Sequence, residues 1–571
     1  MNAEQSTGMI RSQGFGLAML GVLLVLNLVQ AYFTTLLDDE AFYWLFGQKL
    51  AWGYYEHPPM AGLMIRAGYA LFHNELGVRL LFVLTSACSI WMMARLAGTR
   101  NYLLFFAIVF SIMIIQAGSF LATPDVALIV MTVAFLWAFR RYAERDHYGM
   151  AVLLGLIMAL MIYSKYTGIL VIFFAILSDL KLLKRPSFYL AAGSALLFFA
   201  PHMIWQYQHG YPTVYYHLAE RSFSQHGFLK YVIEYVAGQV GILGPFMSLV
   251  MFAAIFFYKA KTPFDRTLKF IANGILAFFF LYAFRGKIEP NWTVPAVPAM
   301  IIIAYKALED KVNWHKALYW VAGISFVLMM GLRVFLVYDY LHLPGKMLNL
   351  SELRYWKEWA RQIDHYSGGR PVVFLNSYQR ASKFSFYAGR PAYSHDRYSF
   401  HRTQFYYWTD MEEDLQGKDV MLVGSARTLV PGSKVFEAKN SIKTFYAFQD
   451  NFRSFVRVPV EIGEIAHNVP RNSELVVPVS ILNPDTVPLR FDGNPGLPAS
   501  IVYHLRLKGK IIAHEKPALD LSTVVINGPR LDTCIRIKVP PLPGEYAVWL
   551  SVKAGYLKPA RNSHYKSFTA R

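Results

Sequence analysis

Three carboxylates stand in a row, Asp38-Asp39-Glu40, just after an apolar run that ends near Leu37. Ionisable groups at the edge of such a run are expensive to keep there and usually functional. A carboxylate in this position can accept a proton from a hydroxyl, orient a cation, or simply cap a helix end in water. The residues that follow narrow the choice. Trp52-Gly53-Tyr54-Tyr55-Glu56-His57-Pro58-Pro59 sets aromatic rings, a further acid and an imidazole in a segment whose geometry is restricted by glycine and paired prolines. Glu75-Leu76-Gly77-Val78-Arg79 then brings a guanidinium to the start of the next apolar run. Acids, rings and a cation in one loop suit a polar ligand that carries an anionic group.

These residues must be held by the elements around them, and composition fixes what those are. The 571 residues are 55% hydrophobic and only 16% charged, against roughly 25% charged in ordinary soluble domains. Apolar runs recur from Gly14 to about Val337, and a soluble mix of charges, prolines and glycines follows from Tyr338. A spanning helix needs about 20 mostly apolar residues. Candidates lie at 14–37 and near 79–97, 102–120, 124–139, 149–164, 167–180, 188–205, 229–257, 268–284, 291–305 and 317–337, about eleven in all. The first is too long for the apolar core of a signal peptide and reads as a retained helix with Arg11 inside.

Charge gives the orientation. The net charge of +19 sits largely in short loops, with Arg140, Arg141 and Arg145, then Lys181, Lys184 and Arg185, then Lys259, Lys261, Arg266 and Lys269. That is the bias of cytoplasmic loops rather than one basic surface for nucleic acid. An odd number of spans then places residues after 337 outside the cytoplasmic membrane, periplasmic in a Gram-negative cell. Residues 38–78, the Ala122–Asp125 and Ser164–Gly168 turns, 206–228 and 285–290 face the same side. Arg79, Lys165, Arg221, Arg285 and Lys287 are cations against this bias, as a lipid phosphate would require; snorkelling to headgroups is the alternative. Cys88 and Cys534 are the only cysteines, and His57, His202, His209, His217 and His226 lack zinc-site spacing.

The tail divides into a mixed α/β region over 341–452 and a strand-rich region over 453–571. Strands are expected at 371–375, 419–423, 455–465, 475–481, 500–507, 533–539 and 546–552, with a short helix after Asn376. An immunoglobulin-like β-sandwich fits the second region.

The Asp-Glu pair after the first span, the Tyr-Tyr-Glu-His-Pro-Pro segment and the Val-Arg beyond it resemble membrane glycosyltransferases of the GT-C fold. More narrowly, they resemble the branch of protein O-mannosyltransferases and the lipid A aminoarabinose transferase, glycosyltransferase families 39 and 83. Thr123-Pro124-Asp125, Ser164-Lys165-Tyr166-Thr167-Gly168 and Asn376-Ser377-Tyr378-Gln379 extend the likeness through residues 1–340 and the first half of the tail. The resemblance implies a sugar donor on a polyprenyl phosphate such as undecaprenyl phosphate. The acceptor would be extracytoplasmic: lipid A, core oligosaccharide, another glycan or a protein. Asp39 matches the catalytic aspartate and is assigned as base, with Asp38 its rival and Glu40 behind it. Asp125 matches the second acidic position, or else caps a helix after Pro124. Tyr55, Glu56, His57, Arg79, Lys165, Tyr166, Arg221, Arg285 and Lys287 are the expected substrate contacts. His57 stands where the aminoarabinose branch has lysine. The branch implies a monophosphate donor, so no metal or other cofactor is expected. A transporter or flippase is the competing reading, although no inverted repeat is visible and the charges gather at one face.

Overall fold

The computed structural model describes residues 12–216, 228–338, 354–396, 402–438, 442–508 and 510–571. The chain divides into two compact units, Met1–Arg354 and Tyr355–Arg571.

The first unit is helical. It runs α1 (Gln13–Phe33), α2 (Asp38–Gln48), α3 (Met60–Tyr69), α4 (Glu75–Ala97), α5 (Tyr102–Ser111), α6 (Met113–Gly118), α7 (Pro124–Glu144) and α8 (Tyr148–Ser164). It continues with α9 (Gly168–Ser178), α10 (Pro186–Gln208), α11 (Pro212–Tyr215), α12 (Phe228–Leu243), α13 (Pro245–Phe257), α14 (Pro263–Tyr282), α15 (Val297–Leu308) and α16 (Val312–Val337). All eleven apolar runs form helix. Among the described residues, α1, α4, α7, α10 and α16 are each long and apolar enough to cross a membrane, and α5, α8 and α9 are shorter apolar helices. Several of the eleven are not single rods. The run at 229–257 is bent by 102° between α12 and α13, because Gly244 takes a left-handed φ of 89° and Pro245 starts the next helix without an N–H. The run at 102–120 breaks at Ile112. Helix α15 is apolar on every side, and every residue from Val297 to Tyr305 is buried, as expected of a helix at the centre of a bundle. Two short helices, α2 and α3, occupy the loop between α1 and α4, where the apolar pattern gave no span.

The second unit opens with α17 (Trp356–Ser367), β1 (Val372–Leu375), α18 (Tyr378–Ala388), β2 (Ala392–His395), α19 (Thr409–Glu413), β3 (Val420–Gly424), β4 (Lys434–Glu437) and β5 (Lys443–Gln449). The sheet order is β2-β1-β3-β5-β4, parallel across β2, β1 and β3 and antiparallel at the β5–β4 edge. Of the parallel strands, β1 and β3 are continuous apolar runs, as expected where both faces are covered. Beyond them come β6 (Val460–Ile462), β7 (Asn468–Val469), β8 (Glu474–Leu482), β9 (Leu489–Arg490), β10 (Ala499–Leu507), β11 (Lys510–Asp520), β12 (Val525–Ile526), β13 (Arg530–Lys538), β14 (Gly544–Ala554) and β15 (Lys566–Ala570). They form a five-stranded sheet, β11-β10-β14-β15-β7, a three-stranded sheet, β13-β8-β6, and a short β9–β12 pair. Along β8, Leu475, Val477, Val479 and Ile481 are buried and their neighbours are not, the period of a half-buried strand.

Several strand expectations change, and β2, β4, β5, β11 and β15 lie outside the expected ranges. Most of 455–465 is not in a ladder: the Asn562 side chain donates to the Phe455 and Val458 carbonyls at 2.6 and 2.8 Å, and only Val460–Ile462 pairs with β8. Strand β11 was not expected. Its lysines and Pro517 are what an exposed sheet edge carries, and they mask the apolar alternation.

Asp396, just after β2, accepts hydrogen bonds from Ser394 at 2.8 Å and Thr403 at 2.5 Å. Burial nevertheless pushes its carboxyl up to about 6. The folded unit therefore holds this proton more tightly than the unfolded chain. Stability is highest below the ordinary carboxylate pKa and falls as pH rises to about 6, by roughly 3 kcal/mol. Thermal unfolding of the Tyr355–Arg571 fragment should show that decline between pH 4 and 6. Asp396→Asn should flatten it and raise the melting temperature at pH 7; a residual slope comes from Glu412, which burial shifts the same way.

Candidate active site

The acidic cluster forms the first turn of α2: Leu37 is the N-cap and Asp38, Asp39 and Glu40 are the first three helical residues. Carboxylates are favoured there because the helix N-terminus carries unsatisfied N–H groups and partial positive charge. The three then diverge. Asp38 and Asp39 are exposed, whereas Glu40 turns inward and is fully buried.

Glu40 meets Arg79, which is also fully buried. Arg79 Nε donates to Glu40 Oε1 at 2.7 Å and Nη2 to Oε2 at 2.5 Å. Its remaining hydrogens go to the Ala31 and Thr34 carbonyls from Nη1, at 3.0 and 2.5 Å, and to the Thr35 carbonyl from Nη2, at 2.9 Å. A guanidinium has five N–H donors, and all five are used. The arginine thus caps the C-terminal end of α1 while its carboxylate partner sits at the N-terminal end of α2, so both helix dipoles favour the pair. This corrects the reading of Arg79 as a phosphate ligand, since no donor is left for one. It likewise makes Glu40 a structural anchor: its carboxylate also accepts from the Leu37 N–H at 3.0 Å and the Ala122 N–H at 2.8 Å.

The Ala122 bond leads to the next acid. Thr123 is the N-cap of α7, Pro124 its first residue and Asp125 its second, so Asp125 is not the cap. Its Oδ1 accepts from Lys165 Nζ at 2.6 Å, and its Oδ2 from Asn291 Nδ2 at 2.9 Å. Lys165 closes α8 and is nearly buried, yet its ammonium has three donors and the Asp125 bond takes one. Asn291 lies in the 3-10 turn Pro290–Ala296.

Tyr166, beside Lys165, begins a second network. Its hydroxyl lies 3.0 Å from His202 Nε2, and His202 Nδ1 lies 2.7 Å from the Trp52 carbonyl. With Nδ1–H donating to that carbonyl, neutral His202 accepts at Nε2 from Tyr166 and from Gln206, 3.3 Å away. Gln206 donates to Thr213 Oγ1 at 2.6 Å, and the Thr213 hydroxyl donates to the Tyr54 carbonyl at 3.0 Å. Helix α10 is therefore stitched to the Trp52–Tyr55 segment. Only glycine fits at 53, because a Cβ there would stand 2.4 Å from the Trp205 ring. Tyr54 stacks on Phe46 with centroids 3.9 Å apart and donates to the Phe46 carbonyl at 2.8 Å.

Of the other expected contacts, Tyr55 is buried with its ring 5.1 Å from that of Tyr216. Glu56 is buried and His57 half-buried, edge-on to Tyr43. Arg285 is exposed in the turn after α14, and Lys287 pairs at the surface with Glu289 at 2.9 Å. Arg221, His217 and His226 lie outside the described residues. Among those described, no cluster of three His, Cys, Asp or Glu side chains could hold a metal ion.

The sequence reading missed Asn291, which it placed in a span, and His202 and Gln206 as loop anchors. It also passed over Arg333 in α16, which is buried and donates to Asn27 Oδ1 at 2.8 Å and the Gln116 carbonyl at 2.6 Å. An arginine within an apolar run was the available signal.

Arg79→Ala should cost about 3–5 kcal/mol by leaving Glu40 buried and unpaired. Arg79→Lys should recover little of that, because an ammonium cannot serve the carboxylate and three carbonyls together. Thermal unfolding in detergent measures both. A fully stable Arg79→Ala protein with weakened donor binding would restore Arg79 as a ligand residue.

Residues 56–205 match the dolichyl-phosphate-mannose-protein mannosyltransferase family, a stretch that contains Arg79, Asp125, Lys165 and His202. The lipid A galacturonosyltransferase RgtD of Rhizobium johnstonii is 26% identical over 296 residues, 49% of this chain and 62% of that protein's length. ArnT from Cupriavidus metallidurans, solved in the apo state, superposes with a TM-score of 0.56 at 16% identity, covering 76% of this chain and 98% of its own. The same protein bound to undecaprenyl phosphate gives a TM-score of 0.55. With apolar helices and a sheet-rich C-terminal region, the chain is a polytopic membrane protein with the GT-C fold of membrane glycosyltransferases.

Proposed function

We propose that this chain is an inverting membrane glycosyltransferase that moves a sugar from a polyprenyl-phosphate carrier to an extracytoplasmic acceptor. The observation that carries the proposal is the arrangement around Glu40. One buried ion pair holds an exposed Asp38–Asp39 pair at the start of α2 and fastens the turn that leads to Asp125 and Lys165. Such a transfer needs a base at the acceptor hydroxyl and a cation where negative charge grows on the departing phosphate.

Asp39 is the base in this reading, with Asp38 its neighbour and rival. Lys165 is the phosphate cation, because among the described residues Asp125 takes only one of its three donors. Asp125 and Asn291 fix the direction of that ammonium. Tyr166 joins the cation to the His202 network. Tyr55, Glu56 and His57 form the sugar-facing wall, and Arg285 and Lys287 meet lipid headgroups at the rim. The lipid A named for RgtD and the undecaprenyl phosphate bound to ArnT support a lipid acceptor and an undecaprenyl carrier here. The charge bias of the loops supports a site and a Tyr355–Arg571 unit outside the cytoplasmic membrane. The transporter reading is not favoured, since these relatives are transferases.

The acceptor hydroxyl must lose its proton as the glycosidic bond forms. Asp39→Asn keeps the shape and removes the base, so turnover should fall by roughly 100-fold or more. Asp38→Asn should fall less. Turnover is measured with purified protein, a polyprenyl-phosphate sugar and extracted envelope lipid. An active Asp39→Asn with an inactive Asp38→Asn would move the base one residue back; full activity in both would end the proposed mechanism.

A monophosphate donor needs no divalent ion to screen a pyrophosphate. Transfer should therefore persist in excess EDTA. An activity lost to EDTA and restored by magnesium or manganese would overturn the metal-free reading.

A further inference from the structure

A second feature lies at the opposite ends of the helices that carry the candidate site. Helices α1, α4 and α7 enclose a groove of about 1020 Å³. Its walls are apolar, with Leu20 and Leu24 on α1 and Leu84 and Trp91 on α4, and it ends at Arg95, Arg140 and Arg141. From Leu84 to Arg95 the wall rises about 16 Å, close to one leaflet of a hydrocarbon core about 30 Å thick. Asp125 and Arg141 are sixteen residues apart on α7, or about 24 Å. The basic end therefore belongs to the headgroup layer opposite the candidate site.

The charges there are unequal. Arg140 is engaged by Glu144, with Nε 2.9 Å from Oε1. Arg141 lies over the Trp137 ring at 4.3 Å, which holds its guanidinium at the groove mouth. Neither Arg141 nor Arg95 has a carboxylate partner among the described residues, and both are exposed. Two arginines thus cap an apolar slot one leaflet deep. We infer that this groove binds one anionic phospholipid of the cytoplasmic leaflet, its acyl chains against α1 and α4 and its phosphate on Arg95 and Arg141. Charge complementarity selects the occupant: basic pockets between spanning helices on the cytoplasmic side suit anionic headgroups, and a zwitterionic lipid gains less from two uncompensated cations. The inference is independent of the reaction proposed above.

The test uses the full chain in nanodiscs of phosphatidylcholine, titrated with phosphatidylglycerol carrying brominated acyl chains. Tryptophan quenching and native mass spectrometry report occupancy. Wild-type protein should retain one phosphatidylglycerol with about tenfold or greater preference over brominated phosphatidylcholine. Arg95→Gln with Arg141→Gln should bring the two lipids within about twofold. Leu20→Trp, which fills the slot, should abolish the tight site, while Lys261→Gln, which does not line it, should not. Equal binding of both lipids by wild type would overturn the inference. So would a preference untouched by the double variant, displacement by undecaprenyl phosphate alone, or a second copy of the chain occupying the groove.

Discussion

The Glu40–Arg79 pair is the constraint on which the site geometry depends. Two fully buried charges inside a helical membrane bundle are tolerable only if their hydrogen-bonding capacity is consumed. Here it is. The guanidinium spends its donors on the carboxylate and on the open carbonyls at the end of α1, and the carboxylate takes the Leu37 and Ala122 amides as well. One ion pair thereby joins the end of α1, the start of α2, the start of α4 and the turn before α7. The exposed Asp38 and Asp39 are carried on a helix that cannot move without breaking it.

Of the five cations first grouped together as phosphate ligands, Arg79 and Lys165 separate on the arithmetic of their donors. Arg79 has none to spare. Among the described residues Lys165 keeps two, and its position is set by Asp125, itself steadied by Asn291. A saturated arginine holds the frame, and a partly free ammonium beside it can meet a ligand. The His202 network then fixes the aromatic segment from Trp52 to Tyr55 against α10, so the wall of the site is as firmly anchored as its floor.

Much of this was legible in the residues. Apolar runs located the long helices of the membrane unit because burial in lipid demands them, though not α2 and α3, and the acidic cluster, Asp125, Lys165 and Tyr166 stood out as polar groups where polarity is costly. Burial was not legible. Glu40 and Asp39 are adjacent acids in one turn, and only the inward direction of one side chain separates an anchor from a candidate base. Asn291 was hidden because asparagine carries no charge signal, and its partner lies 166 residues away. The bend at Gly244 was marked by the Gly-Pro pair, but its size depends on the neighbours of α12 and α13. Strand β11 was obscured by the lysines and proline of a sheet edge.

The central claim is that Glu40 transmits the fixed position of α1 and α4 to the Asp125 turn. Amide hydrogen exchange across residues 119–123 tests it most directly, because the Ala122 N–H is bonded to the Glu40 carboxylate. In Glu40→Leu, the account predicts that protection at Ala122 falls by about tenfold or more, in line with loss of a buried charge-assisted bond, and that sugar transfer falls with it. Unchanged protection at Ala122, or lost protection with full transfer, would contradict it.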